Sequence, residues 1–306
     1  MFIGTLSEIL KFSMSLQQLW LLTFSICAQE PVRKYLPASG PEFFSLPFLM
    51  RIVEKLLIAA GSFCAWTTAS VAENQFHSDA NQVILSLLPQ MPKQGGYSAS
   101  NAATANLQTA VRVSSGRLTI NPRAAVPSYC SGATYLVFVQ AVEKLNGGAP
   151  IASPLAEQLA VKGQPDGVGV WGRWNANGPG TACLFRELDL GPNFTSWNAA
   201  KPGDFMKIFW NPNVGRHEHG HSAIFLGVTQ KNGVEMVQFW SSNIPYGFGE
   251  KTVPKAKIAS VIFSRLQNAQ NIQRVPYTLS PKNVYLGSLV SKDSSLAEAL
   301  DESGVR

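Results

Sequence analysis

A cysteine and a histidine in this chain stand where nucleophilic chemistry needs them. Cys130 lies in Ser128-Tyr129-Cys130-Ser131-Gly132, which runs straight into the apolar, helix-compatible stretch Ala133–Leu145. His221 opens Gly220-His221-Ser222-Ala223-Ile224-Phe225-Leu226-Gly227, which reads as a strand with a histidine at its mouth. A helix N-terminus carries partial positive charge and lowers the pKa of a thiol placed there. An imidazole within reach takes the proton, and the thiolate attacks an acyl carbon. Backbone N–H groups at the helix start can then stabilise the oxyanion.

Such a pair needs a third polar side chain to orient the imidazole. The turn Lys231-Asn232-Gly233 predicts a hairpin in which Val234–Trp240 returns antiparallel beside His221–Val228. The position facing His221 then falls near residues 242–244. Gln238, Ser242 and Asn243 are each reachable, depending on register. An Asn or Gln amide orients an imidazole well, and a Ser hydroxyl more weakly.

The neighbouring His217, Glu218 and His219 raise a metal site as an alternative, because residues two apart share a face on a strand. Gly215 and Gly220 predict a turn there instead, and no second cluster completes a four-ligand set. His217 and His219 are therefore expected to be exposed loop residues. No metal and no organic cofactor is expected.

Several elements must position the pair. Helices are predicted over Asp79–Leu88, Ser98–Val113, Ala133–Leu145 and Pro154–Val161. In the third, Tyr135, Leu136, Val139, Val142 and Leu145 form one apolar stripe. Strands are predicted over Arg117–Ile120, Phe205–Trp210, His221–Val228 and Val234–Trp240, while Ala256–Leu266 fits either state. Residues 163–203 are rich in Gly, Asn, Pro and Trp and read as a functional loop region or an insertion. Within them Trp171, Trp174 and Trp197 fit packing or, alternatively, a substrate wall, and Cys183 fits a packed strand. The polar tail is expected to be loose after Lys292.

The 306 residues are 45% hydrophobic and only 14% charged, with 25 Gly and 19 Pro, which suits a loop-rich α+β domain. The net charge of +6, or +5 without the first 72 residues, fits attraction to an anionic polymer such as a bacterial wall or to a membrane surface. The basic residues are spread along the chain without aromatic interleaving, which argues against a nucleic-acid surface.

Met50-Arg51-Ile52-Val53-Glu54-Lys55 is a short basic region, followed by an uncharged stretch to Ala72 that ends in Ala69-Ser70-Val71-Ala72. That is the layout of a secretory signal peptide cleaved near Ala72. The uncharged stretch is short for a membrane span, so contact with a membrane is expected only through this segment. The organisation read from the sequence is an upstream extension over 1–49, a signal peptide over 50–72, a helical lead-in over 73–115, a catalytic domain over 116–275 and a polar tail over 276–306. Export to a periplasmic or extracellular space also opens a rival reading, a disulfide between Cys130 and Cys183 in a catalytically silent wall-binding module.

Three segments together resemble the NlpC-type cell-wall peptidases and the related CHAP amidases. Tyr129-Cys130-Ser131-Gly132-Ala133 is similar to the family's Asp-Cys-Ser-Gly motif, with Tyr129 in place of Asp. Pro202-Gly203-Asp204-Phe205 and Gly220–Gly227 are similar to its Pro-Gly-Asp and histidine-strand motifs, in the same order. The resemblance covers about residues 120–245. It implies a papain-like fold, with a helix carrying Cys130 packed on an antiparallel sheet carrying His221. It also implies hydrolysis of a peptide or amide bond in peptidoglycan. It nominates Gln238 as third residue, while a papain-like comparison favours the neighbourhood of Ser242 and Asn243. A related amidase or acyltransferase acting on another substrate is the alternative.

Overall fold

A seven-stranded antiparallel sheet organises the computed structural model, which describes residues 80–305. The chain divides into two units, Met1–Ala65 and Trp66–Arg306, and the described residues belong to the second. The expected upstream extension and signal peptide lie outside the described residues. The fold class is α+β.

In the main sheet the strands run in the order β1 (Gln94–Gly95), β9 (Gly247–Pro254), β8 (Val234–Asn243), β7 (His221–Lys231), β5 (Phe205–Phe209), β10 (Ser260–Ser264) and β4 (Asn193–Phe194). A separate hairpin pairs β2 (Val111–Ser114) with β3 (Arg117–Ile120), and a short ribbon pairs β6 (Val214–Gly215) with β11 (Asp293–Ser294). Side chains alternate across a strand, so β7 feeds two cores. Ala223 and Phe225 join Met206, Ile208, Val237, Phe239 and Phe263 on one face, while Ile224 joins the helical core on the other.

The helical core is built round α2 (Cys130–Leu145). Every residue from Ser131 to Val139 is buried, so α2 is covered on all sides rather than along the predicted stripe alone. Around it stand residues 80–87, which are helical, α1 (Asn101–Ala110), α3 (Leu155–Leu159), α4 (Gly169–Asn175) and α5 (Gly180–Leu188). Ile84, Leu87 and Leu107 share one core with Leu136 and Val139, so residues before and after 116 pack together.

Residues 163–203 carry two helices, α4 and α5, within otherwise irregular chain, so the segment is not a structureless loop. Their glycines are poor helix formers, and packing overrides that propensity. A Cβ on Gly172 or Gly180 would strike the carbonyls of Pro165 or Arg173, so these segments approach more closely than any other residue allows. Trp171 and Trp174 are core residues: Trp174 stacks on Phe138 at 4.5 Å and meets Phe205 edge-on at 5.1 Å. Aromatic pairs of this kind contribute about 0.5–1.5 kcal/mol each beyond their buried area. Trp197 packs against Phe225 and Phe263 on the far face of the sheet.

Asp204, fully buried, explains the Pro-Gly-Asp segment. Its carboxylate accepts hydrogen bonds from Asn81, from the Lys201 N–H and from the Arg265 guanidinium. It therefore ties the start of β5 to the residue 80–87 helix and to the chain leaving β10.

The end of the chain is ordered, contrary to expectation. α6 (Val275–Thr278), α7 (Val284–Ser288) and α8 (Leu296–Glu302) dock on the domain, and Ala299 is fully buried. β11 pairs with β6, and the Lys292 carbonyl accepts from the Arg216 N–H. The polar composition concealed a few apolar anchors and this short backbone ladder.

Candidate active site

Cys130 is the first residue of α2. Tyr129 before it has an extended backbone and offers no capping side chain to the helix. The first-turn N–H groups, which have no acceptor inside a helix, thus stay available to a ligand. The Tyr129 ring is instead buried against Trp171, and its hydroxyl pairs with that of Thr104. Two bonds hold the approach to Cys130: the Ser128 carbonyl accepts from the Ser98 N–H and from the Ser242 hydroxyl, both at 2.9 Å. Behind the thiol, the Thr134 hydroxyl donates to the Cys130 carbonyl and accepts from the Trp174 indole.

His221 is delivered by a turn that Glu218 closes. The buried Glu218 carboxylate accepts from the Trp210 N–H, the Asn211 amide and the Gly220 N–H. The imidazole lies between Phe239, edge-on at 5.5 Å, and Trp210 at 6.2 Å.

The strand register decides which of the three candidates faces His221. From the turn, β7 and β8 pair as Lys231↔Val234 through Gly227↔Gln238, and an irregularity at Leu226 then shifts the pairing to Phe225↔Phe239 and Ile224↔Trp240. Continued to the strand end, the shifted register sets His221 opposite Asn243. His221 Nε2 lies 3.2 Å from Asn243 Oδ1. The Asn243 amide nitrogen donates to the Ser241 and Gly249 carbonyls, so its oxygen is the atom turned to the ring. An amide oxygen only accepts, so Nε2 carries a hydrogen, and Nδ1 is left for the thiol.

The other two candidates are elsewhere. Gln238 pairs with Gly227 and Thr252, five residues along β8 from Asn243, a separation of about 17 Å at strand rise. Ser242 is buried and serves the Ser128 carbonyl. His217 pairs with Asp293, and His219 bonds the Arg216 carbonyl, both on the surface. Among the described residues no group of three His, Cys, Asp or Glu side chains converges as metal ligands.

Three residues near the thiol were not singled out in the sequence. Tyr97 follows β1 on a strap stitched down by its N–H to the Pro245 carbonyl and by a bridge to Ser128. Burial, then the charge and hydrogen-bonding of the nearby Cys130, push its pKa up to about 12. Lys207 on β5 is buried and bears on the thiol. The Ser222 backbone helps to lower the Cys130 pKa. None of the three is legible from local sequence, because each reaches the thiol only through the fold.

Cys130 is partly open to solvent. Burial raises its pKa. The hydrogen bond and charge of His221, the charge of Lys207 and the Ser222 backbone outweigh burial and bring it down to about 6. Cys183 has the opposite environment. It lies on a helix, not a strand, and its thiol reaches the Glu302 carbonyl. Burial and the nearby Glu187 and Glu302 carboxylates push its pKa well up. Both cysteines are free thiols, so the structure holds no Cys130–Cys183 disulfide.

A cleft of about 180 Å³ opens beside the imidazole, lined by Tyr97, Trp210, His221, Phe239, Asn243, Ile244 and Lys251. Two larger surface cavities, of about 510 and 360 Å³, contain neither Cys130 nor His221. No family model, no curated protein and no solved structure matches this chain.

Proposed function

We propose that this chain is an exported cysteine hydrolase with a papain-like core that cleaves a peptide or amide bond in peptidoglycan. The single observation that carries the reading is the convergence on Cys130 of a helix start, His221 backed by Asn243, and a thiol pKa lowered to about 6. Export rests on the segment over 50–72, and the substrate class rests on that segment and the three family-like motifs.

The Cys130 thiolate attacks the carbonyl carbon of the amide, forming a C–S bond while the carbonyl π pair moves to oxygen. The oxyanion is met by the free first-turn N–H groups of α2 and by the Tyr97 hydroxyl. Protonated His221 gives its Nδ1 proton to the departing nitrogen as the C–N bond breaks, leaving a thioester. Neutral His221 then takes a proton from water, whose oxygen attacks the thioester and releases the acid and the thiolate. Asn243 keeps the ring turned so that Nδ1 faces the sulfur through both halves. The sequence of steps needs no metal or organic cofactor.

Mass spectrometry of purified wall fragments after incubation with wild type and with Cys130→Ala tests the proposal. New amide or peptide cleavage products are expected with wild type alone, and identical digests would end the peptidoglycan reading.

A further inference from the structure

Lys207 is a buried cation that the reaction above does not use. Only 3% of its surface is exposed, on β5 beside Ser222. Its ammonium donates to the Ala176 carbonyl at 3.3 Å and to the Ser222 hydroxyl at 3.4 Å. Both bonds are long, and a third N–H is unassigned. No carboxylate forms an ion pair with it among the described residues. The two whose charge bears on it are committed elsewhere. Asp166 accepts from the Asn177 N–H and the Asn175 amide. Glu218 accepts from Trp210, Asn211 and Gly220.

An unpaired charge in the interior is costly, so a lysine kept there needs a counter-charge. The fold makes room for this one deliberately. Gly220, at φ +75°, has no Cβ, and a Cβ there would lie 2.5 Å from Lys207 Cε. The residue that frees the lysine stem is thus the one that immediately precedes His221. The strand partner of Lys207 is Ser222, and the lysine ammonium is brought to the start of α2: it bonds the Ala176 carbonyl, and the preceding Asn175 accepts at 2.7 Å from the hydroxyl of Ser131, the residue after Cys130. Burial lowers the Lys207 pKa; of the charges that offset this, Cys130 on α2 weighs most, ahead of Asp166, Glu218 and Cys183. The titratable groups whose ionisation bears on Cys130 itself are His221, Lys207, Tyr97 and Tyr129.

We infer that Lys207 is a positioning residue for the nucleophile: its buried ammonium is the standing counter-charge that keeps Cys130 a thiolate whatever the protonation of His221. A simple thiolate–imidazolium pair loses its cation as His221 deprotonates. Here a second cation remains, so the thiolate persists while neutral His221 is free to activate water. The inference rests on Cys130 as nucleophile. It is read from the thiol itself, so it stands or falls separately from any wall substrate.

The test is site-resolved alkylation of Cys130 by iodoacetamide against pH, in wild type, His221→Ala and Lys207→Met. Methionine nearly matches the lysine stem in volume, so the core is kept. The Lys207→Met profile is expected to shift up by about one pH unit or more, with alkylation at pH 6 slower by about tenfold. His221→Ala is expected to keep part of the acidic inflection. A Lys207→Met profile that superimposes on wild type overturns the inference, as does a His221→Ala thiol that titrates like a free cysteine. If Lys207→Met does not fold, the Lys207 ammonium is titrated by NMR in wild type and in Cys130→Ala. Linkage is reciprocal, so loss of the thiolate must lower the lysine pKa. An unchanged lysine titration overturns the inference equally.

Discussion

His221 Nε2 and Asn243 Oδ1 are 3.2 Å apart, and two backbone carbonyls hold the Asn243 amide so that only its oxygen can face the ring. Asn243→Ala removes that acceptor and frees the imidazole to rotate. Turnover of a cleavable wall fragment is expected to fall by about 10²-fold or more, with the fold intact. Gln238→Ala should leave turnover unchanged. Equal losses in the two variants would show that Asn243 does not orient the base.

Ionisation of Cys130 should be visible in stability as well as reactivity. Its pKa is about 6 in the folded chain against an ordinary value of 9.0. Between these pH values the unfolded chain binds more protons than the folded one, so stability rises with pH across the window. The contribution is fully present above about pH 9 and is lost as pH falls through about 6. Melting temperature measured from pH 6 to 9 should therefore rise more for wild type than for Cys130→Ser. Parallel curves would count against a depressed thiol.

Tyr97 bears on the Cys130 thiol from a strap outside α2 that is bridged to Ser128. Tyr97→Phe deletes the hydroxyl and keeps the ring. A donor to the oxyanion is worth about 10²–10³-fold in kcat, with KM little changed. Steady-state kinetics of the variant decide this, and an unaltered kcat would remove Tyr97 from the reaction.

Arg173 is buried with no exposed surface and joins three parts of the chain. It pairs with Glu187 on α5, bonds the Gly167 and Gly169 carbonyls, and reaches the Ser280 carbonyl and hydroxyl. Arg173→Ala removes all five of these bonds and leaves Glu187 only the bond from the Asn283 amide; removing one partner of a buried ion pair costs about 3–5 kcal/mol. Urea unfolding should show that loss, while a loss near zero would mean that water replaces the guanidinium freely.

Much of the site was legible because its signals are local. A thiol ahead of an apolar helix, a histidine ahead of a strand, and the Lys231-Asn232-Gly233 turn are each written within a few residues. The positions of α2, β5, β7 and β8 followed from periodicity in the same way. The helices over 163–203 were not legible, since their glycines oppose helix formation and only close packing against Pro165 and Arg173 explains them. The order of the tail escaped as well, because it depends on backbone pairing with β6 rather than on composition.

By itself the sequence determined that Cys130 begins a helix, that His221 begins a strand, and that the third residue lies on the returning strand. Tertiary structure alone decided which residue of that strand faces the imidazole. Without the shift at Leu226, the register set by the turn would bring Ile244 opposite His221; with it, Asn243 stands there. A displacement of one residue exchanges an apolar side chain for an amide at the imidazole, because neighbours on a strand point to opposite faces. Tyr97 and Lys207 were likewise decided by the fold. Each lies far from Cys130 in the chain, and burial makes their hydroxyl and charge count at the sulfur.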